Sequence, residues 1–427
     1  MTTPIGRRAT FLLGAAALAA PRLARAQGTT EITVHYAQPY IYKASYDAIL
    51  DAFGKREPSI KVNVITTPNY EEGAQLLLRQ AATNQLPDLS YQGFNRLRVF
   101  AERGIAQDLE PLLKEEASDP ATLGYTPNML DLARFGGIQA GLAYAASNPV
   151  VYYNAELVRQ AGGDPDNFPT DWDGVLRLAG RIDKLGDGVE GMWYTWNGDD
   201  WMFSALLFGH GGRMLTPDER DVGFAGPEGM ASLKLLDRMV KEGGMPNLSA
   251  AAARQAFAAG KLGMIFQTTA LVRGTKEAVG DKFTLRTTGM PVIDKEKGRL
   301  PTGGAAGMLA AKDPAKRMAA WKFLRFSTSP EGQALMAMNT GYLPCNAISV
   351  SDPKYLGAFY RENPLFLPAV RQLAISVPWY AFPGSNSVRV TQAMVDNMAR
   401  IVEQRATPEQ VLPEMADQVR RMLPRKS

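Results

Sequence analysis

The chain has 427 residues, 45% of them apolar, with 47 Lys and Arg against 43 Asp and Glu. Residues 1–26 hold four arginines and no acid, so the remainder carries 43 of each sign, which excludes the basic footprint that nucleic acid or an anionic membrane requires. One cysteine (Cys345) and two distant histidines leave no internal disulfide and no metal-ligand spacing, and roughly 400 residues exceed what one core organises, so two lobes are expected.

The first element is a leader. Arg7 and Arg8 precede an apolar run over residues 11–20, then Pro21 and the small-x-small trio Ala24-Arg25-Ala26. That pattern predicts a signal peptide over residues 1–26, cleaved after Ala26, and a periplasmic protein. The run is shorter than the ~20 residues of a membrane span. The paired arginines point to twin-arginine export, although Phe11 sits one place late and keeps the ordinary secretory route open. No cysteine follows to take a lipid.

From residue 31 short extended runs alternate with amphipathic helices. "EITVHYA" alternates Ile32, Val34 and Tyr36 with polar or small residues and reads as a strand. It carries His35, either a packing residue or a ligand contact. "SYDAILDAFGKREP" reads as a helix ending before Pro58, "IKVNVITT" as a strand, residues 70–83 as a helix, "LPDLSYQ" as a strand and "RLRVFAERG" as a helix closed by Gly104. Strand and helix in turn predict an α/β fold with mostly parallel sheets between helices. Further on, "GLAYAASNPVVYYN" is extended, "TDWDGVLRLAGRID" is a helix with a near capping box at Thr170 and Asp173, and "AAARQAFAAGKLGMIF" is a helix, a turn and a strand. In "SPEGQALMAMNTG", Ser329 caps a helix with Pro330 at its first position. Residues 386–423 read as two helices broken at Ala406-Thr407-Pro408.

Catalytic and cofactor signatures fail on context. Gly186, Gly188 and Gly191 fit G-x-G-x-x-G, but a helix precedes them and an extended run follows, the reverse of a dinucleotide site. No nucleophile elbow or P-loop is present. The adjacent Asp199 and Asp200 do not make the separated pair of carboxyls that glycoside hydrolysis needs. No enzyme, cofactor or metal is expected.

The stretch "WYTWNGDDW", residues 193–201, places three of six tryptophans around a polar turn. Indole faces and turn carboxylates together suit a sugar or polyol, with its C–H faces and rim of hydroxyls. Trp193, on a strand, reads as core; Trp196 and Trp201, flanking the turn with Asp199, read as ligand contacts.

Several phrases, in order, resemble the extracellular solute-binding proteins of ABC importers, in the class binding sugars and glycerol-3-phosphate. They are "SNPVVYYN", "PTDWDGVLRLA", "FAAGKLGMIF", "PTGGAAGMLA", "AAWKFLRFSTSPEGQ" and "NTGYLP", from residue 147 to residue 344. The resemblance implies a monomer of two α/β lobes that closes on a small molecule and delivers it to membrane permease subunits. It places the crossings between lobes near residues 143–147, 267–269 and 328–329. The lobes would then be residues 28–145 with 268–327, and 146–267 with 328–427. The chain is similar to glycerol-3-phosphate-binding proteins in particular, which implies ligand contacts at Tyr70, Ser147, Trp196, Trp201, Thr268, Gly304 and Tyr342. Thr268 stands where serine is usual, and Gln92-Gly-Phe-Asn95 lacks the usual acid. Arg389 is the candidate anion-binding arginine: a cation in the first turn of a helix opposes the dipole, which an anionic ligand would offset. The alternatives are another small ligand, such as a glycerophosphodiester or sulfonated sugar, and a glycan-active enzyme.

Overall fold

The computed structural model describes residues 29–424, so the leader expected over residues 1–26 lies outside the described residues. The chain begins with three strand–helix units: β1 (Thr30–Ala37), α1 (Pro39–Arg56), β2 (Ile60–Thr67), α2 (Tyr70–Ala82), β3 (Leu89–Gly93) and α3 (Phe94–Glu102). β1 pairs in parallel with β2 and β3. Ile32, Val34 and Tyr36 of β1 are buried, the face that the alternating sequence marks.

Two sheets form. The chain leaves the first through β4 (Leu142–Ser147) and enters the second through β5 (Pro149–Asn154), with only Asn148 between them. The second sheet adds β6 (Glu190–Tyr194), β7 (Leu262–Thr268) and β8 (Leu285–Gly289), in the order β8-β5-β7-β6. β9 (Leu300–Leu309) returns to the first sheet, antiparallel to β3 and β4 and parallel to β10 (Ser376–Pro378). The molecule is the expected two-lobed α/β fold, and "mostly parallel" holds for the first sheet, where β1–β2, β1–β3 and β9–β10 are parallel, but not for the second. In the second sheet only β6 and β7 run parallel, because the strands flanking the crossings run back along those that brought the chain over.

Two crossings fall later than expected. Residues 267–269 do not return the chain. The helix over Val272–Val279 and β8 follow, and β8 covers the outer edge of β5, an edge that would otherwise expose unpaired amides. Residues 268–289 therefore belong with the second sheet, and the return is made at β9. Nor does the chain leave at residues 328–329. The helix Pro330–Asn339 packs along α1, where Gln333 Nε2 donates to Tyr144 O (2.7 Å) and Gln333 Oε1 accepts from Cys345 N (2.6 Å). Hydrogen bonds to the strands of the second sheet come later, with Thr287 Oγ1 donating to Leu365 O and Gln372 Nε2 donating to Pro149 O.

Local signals behave as their chemistry dictates. The helix Trp172–Asp183 is capped by Asp171, whose carboxylate accepts from Gly174 N at 2.8 Å, rather than by Thr170, so the helix starts one residue later than the capping-box pattern places it. Ser329 accepts from Gly332 N with Pro330 at the first helical position. The last two helices, Ser387–Val402 and Pro408–Met422, are divided by a capping box of Thr407 and Gln410 and pack on the helix Pro227–Lys241 beside the second sheet. Trp193 is wholly buried in β6, worth ~1.5–3 kcal/mol as a large apolar side chain taken from water.

Candidate ligand-binding cleft

In open α/β sheets ligands bind in the crevice beyond the carboxyl ends of strands. Here β1 and β3 end in helices whose first turns supply the side chains. Tyr70 opens α2, whose N-cap Asn69 accepts from Glu72 N at 2.8 Å. Tyr70 Oη lies 3.0 Å from Tyr42 Oη of α1. Tyr42 in turn stacks on Tyr342, 4.8 Å between centroids at 5°, and Tyr342 Oη donates to Gln38 Oε1. Burial pushes the Tyr342 phenol up to about 12, so these hydroxyls stay neutral donors and acceptors.

The crossing strands form the floor. Ser147 pairs with Gly303, and Ala146 with Gly304. Gly304 has φ +124°, and a Cβ there would fall on the Ala145 carbonyl oxygen, so both conformation and space call for glycine. At Gly303 a Cβ would stand 2.9 Å from Ser147 Oγ and 2.9 Å from Trp201 Cε2; the bare backbone lets the indole lie against the strand. Thr268 continues this floor opposite Pro149. Its Oγ1 accepts from Ala270 N and its carbonyl from Tyr152 Oη.

The far wall is the "WNGDDW" turn. Asp199 Oδ1 accepts from Trp201 N at 2.9 Å, starting the helix Trp201–Gly209 and aligning Trp201 beside Trp379, 6.4 Å between centroids. Trp196 and Trp201 are 7% and 6% exposed, yet neither indole N–H has a partner. Trp172, Trp193 and Trp379 share that state; Trp196 and Trp201 differ from them in flanking the polar turn.

Charge closes the ring. Arg96 of α3, 1% exposed, places Nε and Nη2 on Glu71 Oε1 at 3.1 and 2.6 Å, and Nη2 on Thr391 Oγ1 at 2.9 Å. Thr391 Oγ1 donates on to Asp200 Oδ1 at 3.4 Å. Asp199 keeps a partly accessible face while protein surrounds it; burial, with Glu71 and Asp200 near, pushes its carboxyl up to about 8. Burial likewise raises Asp200 to about 6, against the pull of Arg96.

Tyr70, Ser147, Trp201, Gly304, Tyr342 and Asp199 thus gather about the crossing strands, with Thr268 at the end of β7 and Trp196 on the same turn as Asp199. Two candidates stand apart. His35 is fully buried beneath α2, its ring nitrogens engaged by Ser90 Oγ (2.9 Å) and Thr67 Oγ1 (3.1 Å), and burial lowers it to about 4. It is a neutral packing residue. Arg389 is exposed, because the helix Ser387–Val402 turns Val390 and Thr391 inward instead. The buried arginine is Arg96, which sequence reasoning missed together with Glu71, Tyr42 and Trp379. For Arg96 a signal existed: it shares the apolar stripe of α3 with Val99 and Phe100, and a charge on such a stripe requires a partner.

Comparisons with known proteins follow the same lines. A family model for bacterial extracellular solute-binding proteins matches residues 48–366. The sn-glycerol-3-phosphate-binding periplasmic protein UgpB of Escherichia coli (strain K12) is 22% identical, the match covering 97% of each chain. UgpB from Mycobacterium tuberculosis, solved in complex with glycerophosphocholine, superposes with a TM-score of 0.81 at 21% identity, over 92% of this chain and 98% of that one. An ABC substrate-binding protein from Listeria monocytogenes, solved with cycloalternan, gives a TM-score of 0.81 at 21% identity over the same shares.

Proposed function

The chain belongs to the bacterial extracellular solute-binding proteins, and from that premise we propose that it captures a carbohydrate or polyol between its two sheets and delivers it to the permease subunits of an ABC importer. One observation carries the reading: a ring of tyrosines, indoles and carboxylates around the crossing strands, with the indole donors of Trp196 and Trp201 buried and unpartnered. Aromatic faces meet the C–H surface of such a solute, and fixed donors and acceptors meet its hydroxyls. Relatives named for glycerol-3-phosphate and for an oligosaccharide fit that class.

Binding rather than turnover is the work of this site, and closure is its motion. The sheets are joined at residues 147–149, at the return into β9 and by the segment beyond residue 343, thin links about which a solute touching both walls draws the lobes together. Residues 1–26 direct export and are removed, leaving a periplasmic monomer. A thermal-shift screen of sugars and polyols, followed by small-angle scattering with the best ligand, tests the reading. The bound protein should be more compact, and an unchanged radius of gyration at saturation would overturn the cleft. Steady product release from a labelled glycan would overturn the assignment as a binder.

A further inference from the structure

The charges around the crevice do not suit a phosphate. Glu71, Asp199 and Asp200 face a single buried cation, Arg96, and that guanidinium is already engaged by Glu71 and, through Thr391, linked to Asp200. Arg389 is on the surface. Arg254, half-buried, is committed to the ring of Tyr40, 5.7 Å from its centroid. An anionic solute would meet the carboxylates of Glu71 and Asp200 and the protonated acid of Asp199, with the one buried arginine already matched.

We propose that the solute carries a protonated nitrogen among its hydroxyls, as an amino sugar or amino polyol does, and that its ammonium sits by the Asp199 and Asp200 carboxylates against the indoles of Trp201 and Trp379. This rests on the carbohydrate-or-polyol reading above. Indole faces and carboxylates side by side are the chemistry that recognises an ammonium. The hydroxyls have their own partners waiting. Trp201 Nε1 is buried and unpartnered on the ring edge that faces Gly303 and Ser147. Asn95 Oδ1, on a residue 2% exposed, is unpartnered beside the ring of Tyr70.

Asp199 gives the binding a signature. Burial, then Glu71 from α2 and the adjacent Asp200, push it up to about 8 against the pull of the Trp201 amide and of Arg96 from α3, and Tyr40 from α1 and Tyr342 lie within reach of its charge. An ammonium alongside lowers it again, so binding near pH 7 releases a proton.

Isothermal titration of the exported protein with matched neutral, amino and phosphorylated members built on glycerol, glucose and a glucose disaccharide tests this. The amino member of at least one set should bind about tenfold or more tighter than its neutral counterpart, with the phosphorylated member weakest. Titration in buffers of differing ionisation enthalpy should report a released proton. Asp199→Asn, near in shape and sound by thermal melt, should erase that release and the preference for the amine over the neutral member. A phosphorylated or neutral member binding as well as the amine overturns the charge assignment and leaves the solute reading standing; silence across every set overturns both.

Discussion

The two walls of the crevice are built on opposite principles. On the first sheet's side Tyr42, Tyr70 and Tyr342 satisfy one another through a ring stack at 4.8 Å and a hydroxyl pair at 3.0 Å. These three tyrosines are paired before anything binds. On the second sheet's side the turn over residues 196–201 leaves two indole donors without acceptors and concentrates carboxylates whose ionisation burial opposes. A wall that is self-satisfied supplies shape; a wall with unmet donors and charges supplies selectivity, because only a matching solute removes its cost. Arg96 ties the two together, reaching from α3 to Thr391 on the far side.

The comparison breaks most visibly at that tie. Arg96→Met should lower stability by ~3–5 kcal/mol, since it strands Glu71 and leaves Thr391 and Asp200 without their cation; chemical denaturation measures it. A loss below ~1 kcal/mol would show that the walls are held by packing alone.

Trp201→Ala should weaken solute binding by ~1–3 kcal/mol in titration, with a smaller change in unfolding free energy, as for an aromatic anchor at a preformed site. If stability drops by ~3–5 kcal/mol instead, the indole is core and the far wall is no different from the near one.

Asp199 sharpens the contrast through pH. Its folded value of about 8 lies above the ~3.9 of an unfolded aspartate, so between these the folded state binds more protons. Without solute, stability should therefore fall as pH rises from about 4 to about 8. Asp199→Asn should raise the melting temperature at pH 8 and flatten the profile. An unchanged profile would place Asp199 in open solvent.

On the near wall Tyr42→Phe should cost ~0.5–1.5 kcal/mol of stability, one hydroxyl pair, with little effect on affinity. A large affinity loss would make the tyrosines direct readers of the solute. Smallest of all, Arg389→Gln should change stability by less than ~0.5 kcal/mol, as exposed substitutions do, and leave affinity and its salt dependence as they were.

Much was legible in advance wherever the information is local. Period-two alternation marks β1, and cap chemistry marks Ser329 and the break at Thr407, since these depend on residues a few positions apart. The polar turn between tryptophans was visible as a candidate recognition element, and the Gly186–Gly191 match failed on its flanks: the helix ends at Asp183 and β6 begins at Glu190. Which sheet a segment joins was not visible. β8 has strand pattern enough, but its pairing with β5 depends on which edge lies unpaired after the chain has folded back. The family resemblance supplied crossing points that two later pairings moved.

The sequence by itself determined the alternation of elements, the two cores and the family phrases, because hydrophobic period and turn residues act over one helix turn or one strand. The tertiary structure alone decided the charge of the site. Arg96 and Thr391 lie 295 positions apart, with Glu71 and Asp200 brought to them from elsewhere in the chain, and a carboxylate's ionisation depends on what surrounds it in space. The sequence pointed to Arg389 as the cation; folding turned it to solvent and buried Arg96 among three carboxylates, since the energy of a charge is set by its dielectric and its neighbours.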